Sequence, residues 1–141
     1  MKLIFVIILF LFIPSYLNAD WFFSHKDFDS KRFSKLNQIN KNNLNELELF
    51  WDFSSGDIYD DLTVQSSPVF TGSKIISKSP AKVFALDPSS GDLIWEYKFE
   101  KINGSRGFTY DNTHKTVYVP ITLGVIELDA ENGKKIRVFE S

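Results

Sequence analysis

Apolar and polar positions alternate along the second half of the chain in short runs, and each run stops at residues that favour turns. Eight runs predict strands: 66–70, 74–77, 82–86 and 93–99, then 107–110, 116–120, 124–128 and 135–139. Thr71-Gly72-Ser73, Ser79-Pro80 and Asp111-Asn112-Thr113-His114 supply turn chemistry between them. Further upstream, 47–53 alternates well enough for another strand, closed by Ser54-Ser55-Gly56-Asp57, and 58–62 is acidic and loop-like. The stretch 36–44 predicts one short helical turn with Asn40 as a possible N-cap, because its density of Asn argues against a longer helix.

The most informative stretch runs from Ala85 to Trp95. An apolar run ends at Asp87, a turn rich in Pro, Ser and Gly follows, and a second apolar run ends on Trp95. Asp87 can accept backbone N–H groups inside the turn, and Gly91 can take a positive φ without steric cost. Trp95 brings a large flat surface to bury and one N–H that requires a partner. The pattern recurs at an offset of 42: Val83, Leu86, Asp87, Gly91 and Ile94 map to Val125, Leu128, Asp129, Gly133 and Ile136. Ile75-Ile76 maps to Val117-Tyr118 at the same offset, and Arg137 stands where the first copy has Trp95. A repeat of this period with several short strands per unit is the signature of a β-propeller blade. The expectation is therefore an all-β fold, a partial β-propeller of two four-stranded antiparallel blades over 64–141. Each blade has two apolar faces that need neighbours, and stacked repeats usually need at least three units. On that reasoning the chain is expected to be the front part of a larger protein, or a truncated product of one.

Composition adds limits. The length of 141 residues suits one ordinary domain, and the 43% hydrophobic content can form a core. Fourteen Phe fit β-structure better than a helical bundle. A net charge of −2 gives no basic field for nucleic acid or anionic lipid. The absence of Cys excludes disulfides, Cys-ligated zinc, iron–sulfur clusters and thiol catalysis within the chain. Lys2 followed by the unbroken apolar run 3–13 and then Pro14 reads as a secretory signal peptide over 1–19, with Leu17-Asn18-Ala19 as the cleavage site. An uncleaved anchor is the competing reading; eleven residues are too few for a membrane span, which needs about 20. Residues 20–63 then form an N-terminal segment expected to pack on the propeller and to contribute an outer strand. Its start, 20–33, mixes Trp21, Phe22, Phe23, Phe28 and Phe33 with charges, too apolar for a disordered tail.

Isolated residues carry little chemistry. His25 and His114 lie in different segments without ligand spacing, and solvated surface is the better reading of both. Asp57, Asp60 and Asp61 cluster without the spacing of a calcium loop. No Gly-rich phosphate loop or nucleophile elbow is present. Gln65 and Arg106 are placed more suggestively, each just ahead of the first strand of a blade. First strands line the channel of a propeller, so both residues would point toward one end of it. Arg106 there could bind a carboxylate through two parallel hydrogen bonds, or simply pair with an acid of a neighbouring blade or stand exposed at the rim.

These residues resemble the quinoprotein dehydrogenases that use pyrroloquinoline quinone (PQQ). The spacing of Asp87, Gly91 and Trp95 is similar to that family's tryptophan-docking repeat. Trp21, then 29–40 with Arg32-Phe33-Ser34 and Gln38-Ile39-Asn40, then 47–51 ending on Trp51, resembles its N-terminal signature. Gln65-Ser66-Ser67-Pro68 and Arg106-Gly107-Phe108-Thr109-Tyr110 fall where the family contacts its cofactor. The resemblance implies an eight-bladed propeller, of which this chain holds the first two blades. It also implies a periplasmic dehydrogenase oxidising a sugar or alcohol, with electrons passing to an acceptor such as a quinone or cytochrome. PQQ and calcium are the implied cofactors, with Gln65 and Arg106 on the PQQ and with the calcium ligands and catalytic base in later blades, so that this chain alone would be inactive. The adjacent Cys pair of some alcohol-oxidising members is absent, which moves the match toward the glucose-dehydrogenase-like branch. No cluster of membrane spans precedes the propeller, which disfavours a membrane-anchored form. Ser24-His25-Lys26 replaces a more Gly-rich stretch, Lys35 stands where Pro is usual, and Arg137 replaces the second Trp.

A different class of function competes with the enzyme: a non-catalytic propeller of the same repeats serving as an assembly or binding scaffold. Docking Trp residues occur in both, whereas Gln65, Arg106 and the N-terminal signature favour the enzyme. The signal reading has a direct check. Mass spectrometry of the chain recovered after expression in a Gram-negative host should give a mature N-terminus at Asp20; recovery of Met1 on the exported chain would refute cleavage.

Overall fold

The structure, a computed structural model, describes residues 29, 31–34, 36–57, 66–100 and 107–140. The signal reading, most of the aromatic stretch 20–33 and Asp60 and Asp61 lie outside them. Eight strands are present among the described residues: β1 (Val69–Phe70), β2 (Ile75–Lys78), β3 (Lys82–Leu86), β4 (Leu93–Lys98), β5 (Thr109–Asp111), β6 (Thr116–Ile121), β7 (Gly124–Asp129) and β8 (Lys135–Glu140). They form two four-stranded sheets in the orders β1-β2-β3-β4 and β5-β6-β7-β8, with every pair antiparallel. All eight predicted strands are found. The first strand of each sheet is shorter than or displaced from its expected limits, because Ser66, Ser67 and Pro68 make no ladder and Thr109 is the first paired residue after Gly107.

The sheets stack face to face. Cross-strand register places Val69, Ile76, Ala85 and Trp95 in one row across sheet one. All four are buried, in a single cluster with Tyr110, Val117, Val119, Ile126 and Leu128 of sheet two. Period-2 alternation therefore selects the residues of the shared core. Lys74 adds an ion pair across the sheets, with Nζ 2.5 Å from Glu131.

The tightest link between sheets is the docking of Trp95. Its indole N–H donates to the carbonyl of Ala130 at 3.0 Å. Its ring lies against Gly133, where a Cβ would fall 2.5 Å from Cε3. Only a residue without a side chain admits the ring this closely, and Gly133 also holds φ +72, which favours glycine. The turn is locked by Asp129, whose N–H donates to Lys134, whose carbonyl accepts from Gly133, and whose Oδ1 accepts the N–H of Glu131 at 2.7 Å. The first turn repeats each element: Asp87 N–H to Asp92, Gly91 N–H to Asp87, and Ser89 N–H to Asp87 Oδ1 at 2.7 Å.

That first turn has its own tryptophan. Trp51 donates its indole N–H to the carbonyl of Pro88 at 3.1 Å, and a Cβ on Gly91 would meet its ring at 2.7 Å. Pro88 and Ala130 are equivalent in the repeat, so Trp51 docks on sheet one as Trp95 docks on sheet two. Phe53 stacks on Phe84 with centroids 4.9 Å apart, and the Ser79 hydroxyl donates to Asp57. The N-terminal segment thus covers the leading face of sheet one, which the repeat alone left open. The strand expected over 47–53 is absent as a paired strand: the segment is held by these side chains and joins neither sheet.

The helical turn is also displaced. It is a 3-10 turn at Leu44–Glu46 preceded by Asn43, whose side chain caps nothing there. Asn40 instead closes the preceding turn, its Oδ1 accepting the Asn42 N–H at 3.0 Å. Local side-chain hydrogen bonds of this kind compete with helix, and with five Asn between 37 and 45 they prevail.

Burying an indole removes about 200 Å² from water, a gross gain of about 5 kcal/mol at ~25 cal/mol per Å². Trp95→Ala should therefore lower the unfolding free energy by about 3–5 kcal/mol. Trp95→Phe, which keeps a ring but strands the Ala130 carbonyl, should cost about 1–3 kcal/mol. Gly133→Ala should also cost about 1–3 kcal/mol from overpacking, on top of its φ strain. Gly72→Ala is the control, with φ +97 and open space at the Cβ position. A urea titration in which Gly133→Ala is no worse than Gly72→Ala would refute the docking contact.

Candidate functional site

The first strands, β1 and β5, are the place to look, since both residues expected to meet a cofactor stand just ahead of them. Gln65 and Arg106 themselves lie outside the described residues, so the structure does not bring them together or separate them. Their neighbours are described. Gly107 enters β5 with φ +72. Ser66 precedes β1, and its hydroxyl is buried without a hydrogen-bond partner. Among the described residues only Thr116 shares that condition. A buried hydroxyl left unpaired costs about 1–3 kcal/mol, so a polar group from outside the protein that met it would be favoured. Ser66 Oγ is thus a donor-acceptor adjoining Gln65, and the local chemistry suits a polar ligand.

A groove of about 280 Å³ also opens between the sheets, lined by Tyr97, Phe99, Ile121, Ile126 and Val138, with Lys135 at its margin. None of its described lining comes from β1 or β5. Among the described residues no group of three or more His, Cys, Asp or Glu gathers as metal ligands.

Two features escaped the sequence reading. Lys78 ends β2 on the inter-sheet face and is buried, with its Nζ 5.6 Å from the centroid of the Phe99 ring. Burial pushes its pKa down from the ordinary lysine value. Its position two residues after Ile76 carried the signal, because alternation puts both on one face. The second feature is a polar row across sheet two: Thr109 pairs with Tyr118, Tyr118 with Glu127, and Glu127 with Arg137. The Glu127 carboxylate accepts the Arg137 Nε–H on one oxygen and the Tyr118 hydroxyl at 3.0 Å on the other. The hydrogen bond from Arg137 holds it below the usual carboxylate range, aided by Tyr118 and opposed by burial. The Arg137 guanidinium lies over the Phe139 ring at 4.8 Å.

His114 occupies the exposed β5–β6 turn, as expected. Its Nδ1 is 2.7 Å from Asp111 Oδ2, while Asp111 Oδ1 accepts the N–H groups of Thr113 and His114. The hydrogen bond to Asp111, with its negative charge, raises the His114 pKa above 6.5. The pairing thus favours the imidazolium: its contribution is complete below the unfolded value and fades as pH rises through the folded one. An NMR titration should place the His114 midpoint above 6.5 and Asp111→Asn should bring it down; equal midpoints would refute the pairing.

Comparison with known proteins places these features in a family. The family described as PQQ, glucose/ethanol/alcohol dehydrogenase, β-propeller domain, matches residues 21–141. The quinoprotein glucose dehydrogenase of Escherichia coli is 29% identical over 149 residues, which cover 86% of this chain and 19% of that protein. The lanthanide-dependent methanol dehydrogenase of Methylacidiphilum fumariolicum is 28% identical, over 84% of this chain and 21% of its own length. Among solved structures, the quinohemoprotein alcohol dehydrogenase from Pseudomonas putida superposes with a TM-score of 0.73 at 24% identity, covering 87% of this chain and 19% of that one. This chain therefore spans about a fifth of the length of these relatives.

Proposed function

The chain belongs to the β-propeller family of PQQ glucose, ethanol and alcohol dehydrogenases, and we propose that it supplies the first two blades of a periplasmic dehydrogenase acting on a sugar or an alcohol. The match over 21–141 supports the reading. Within the molecule, the observation that carries it is the unpartnered buried hydroxyl of Ser66 beside Gln65, at the head of the first strand.

In this reading Gln65 and Arg106 hold PQQ from adjacent blades. Arg106 contributes a fixed charge and a planar fork of donors, matched to a carboxylate, while Gln65 offers both a donor and an acceptor. Ser66 completes the polar edge with its free hydroxyl. When bound, PQQ accepts the two electrons and a calcium ion polarises the reacting oxygen. The group that takes the substrate proton and the calcium ligands are assigned to later blades, so residues 1–141 alone are expected to be inactive. Electrons then pass to a quinone or a cytochrome.

The test uses a polypeptide that carries these residues together with the later blades. Reconstituted with PQQ and Ca²⁺, it should reduce a dye with aldose sugars or alcohols as donors. Arg106→Ala should weaken PQQ binding by about 1.5–3 kcal/mol, the worth of a charged hydrogen bond. A parent protein that binds no PQQ would leave the scaffold reading in its place. Unchanged affinity in Arg106→Ala would remove that residue from the site.

A further inference from the structure

The groove between the sheets has a counterpart on sheet one, and there the space is filled. Sheet one receives Trp51 as sheet two receives Trp95, and a ring stands two residues past each indole, Phe53 and Tyr97. Phe53 stacks on Phe84 with centroids 4.9 Å apart. Opposite Phe84 in the β3–β4 pair, Glu96 lies between the ammonium groups of Lys82 and Lys98, each at 2.9 Å. At the offset of 42, sheet two has Ile126 for Phe84, Val138 for Glu96, and Gly124 and Glu140 for the two lysines. The pairing is conserved between the copies, with Ile126 opposite Val138 and Gly124 opposite Glu140. A ring, a carboxylate and two ammonium groups have thus been exchanged together for smaller or apolar residues and one acid. The groove of about 280 Å³ opens at Ile126 and Val138.

Charge has moved from the floor of this space to its mouth. Lys135 lines the groove where sheet one has Leu93, and among the described residues it makes no ion pair. It stands two residues past Gly133, at the docking-turn end, whereas Glu100 lines the groove beyond the other end of β4.

We propose that the groove binds a small monocarboxylate with an apolar body, its carboxylate on Lys135. The body would lie between Tyr97 and Phe99 of sheet one and Ile121, Ile126 and Val138 of sheet two. The two rings meet edge to face, at 6.1 Å and 70°, an arrangement that a third ring can extend. The volume falls just below the range of about 300–1,000 Å³ that holds drug-sized ligands, so the body is one ring with a short chain, or a hydrocarbon of that bulk. Apolar burial supplies most of the affinity, and Lys135, being exposed, adds only what a surface ion pair adds and so selects the acid. Glu100 repels a second acid group at the far end, which restricts the ligand to one carboxylate. This inference rests on the packing of the two sheets and not on the cofactor reading.

The probe is 3-phenylpropionate, titrated without PQQ into the full chain carrying ¹³C-labelled Ile and Val methyl groups. The methyl resonances of Ile121, Ile126 and Val138 should shift saturably in the millimolar range. The uncharged 3-phenylpropanol should bind about threefold to fivefold more weakly. Lys135→Gln should erase that preference and Lys135→Arg should keep it. Ile126→Phe and Val138→Glu each restore the residue of sheet one and should abolish binding of both compounds. Val138 is exposed on β8, so its variant tests the groove even if Ile126→Phe disturbs the core. The absence of a saturable shift at these methyls, equal binding of acid and alcohol, or undiminished preference for the acid in Lys135→Gln would each overturn the proposal. So would methyl shifts that follow the concentration of the chain with no probe present, because they would assign the groove to a second copy.

Discussion

An indole ring can pack flat against a backbone only where the backbone has no Cβ, and its buried N–H must find an acceptor. Both conditions are met twice among the described residues, by Gly91 with Pro88 and by Gly133 with Ala130. Each turn is shaped by an Asp that binds its own backbone, so that glycine and carbonyl face the same way. The geometry couples the N-terminal segment to sheet one across 37 residues and sheet one to sheet two across 35. Most of the remaining fold follows from that coupling, including the burial of the Val69–Ile76–Ala85 row under sheet two and the seating of the N-terminal segment on sheet one.

The exception is informative. An acid buried in a sheet face is costly unless it is paired, and a network with one partner missing is worse than an apolar replacement. Glu127 is tolerated because Arg137 and Tyr118 occupy both of its oxygens. Arg137, which looks like an imperfect copy of Trp95 in the repeat, is therefore half of a matched pair. Its guanidinium lies over the Phe139 ring, so planar packing is retained while the hydrogen-bonding chemistry changes from one donor to several.

The cofactor reading and the packing reading meet at different parts of the sheets. In the function proposed above the heads of the first strands would meet PQQ, and Ser66 there carries a buried hydroxyl without a hydrogen-bond partner. The last strands carry the docking groups. Trp95 fixes how sheet one lies on sheet two, and Trp51 fixes how the N-terminal segment lies on sheet one. Family membership is secure across 21–141, and it is the geometry of the docking turns that gives the match its physical content.

Much of this was written in the sequence. Period-2 alternation, turn residues and the 42-residue echo specify eight strands in two antiparallel sheets, since each depends only on neighbours along the chain. Asp87, Gly91 and Trp95 announce their roles because turn chemistry and a buried indole have few solutions. Contacts between distant segments were not legible. Residues 47–53 alternate like a strand, yet their partner is decided by Trp51 and Phe53 reaching sheet one, so the segment is anchored without a ladder. The pairing of Glu127 with Arg137 and the isolation of the Ser66 hydroxyl belong to the tertiary structure alone. A sequence states which face a side chain takes, but what lies opposite that face is fixed only when the sheets come together.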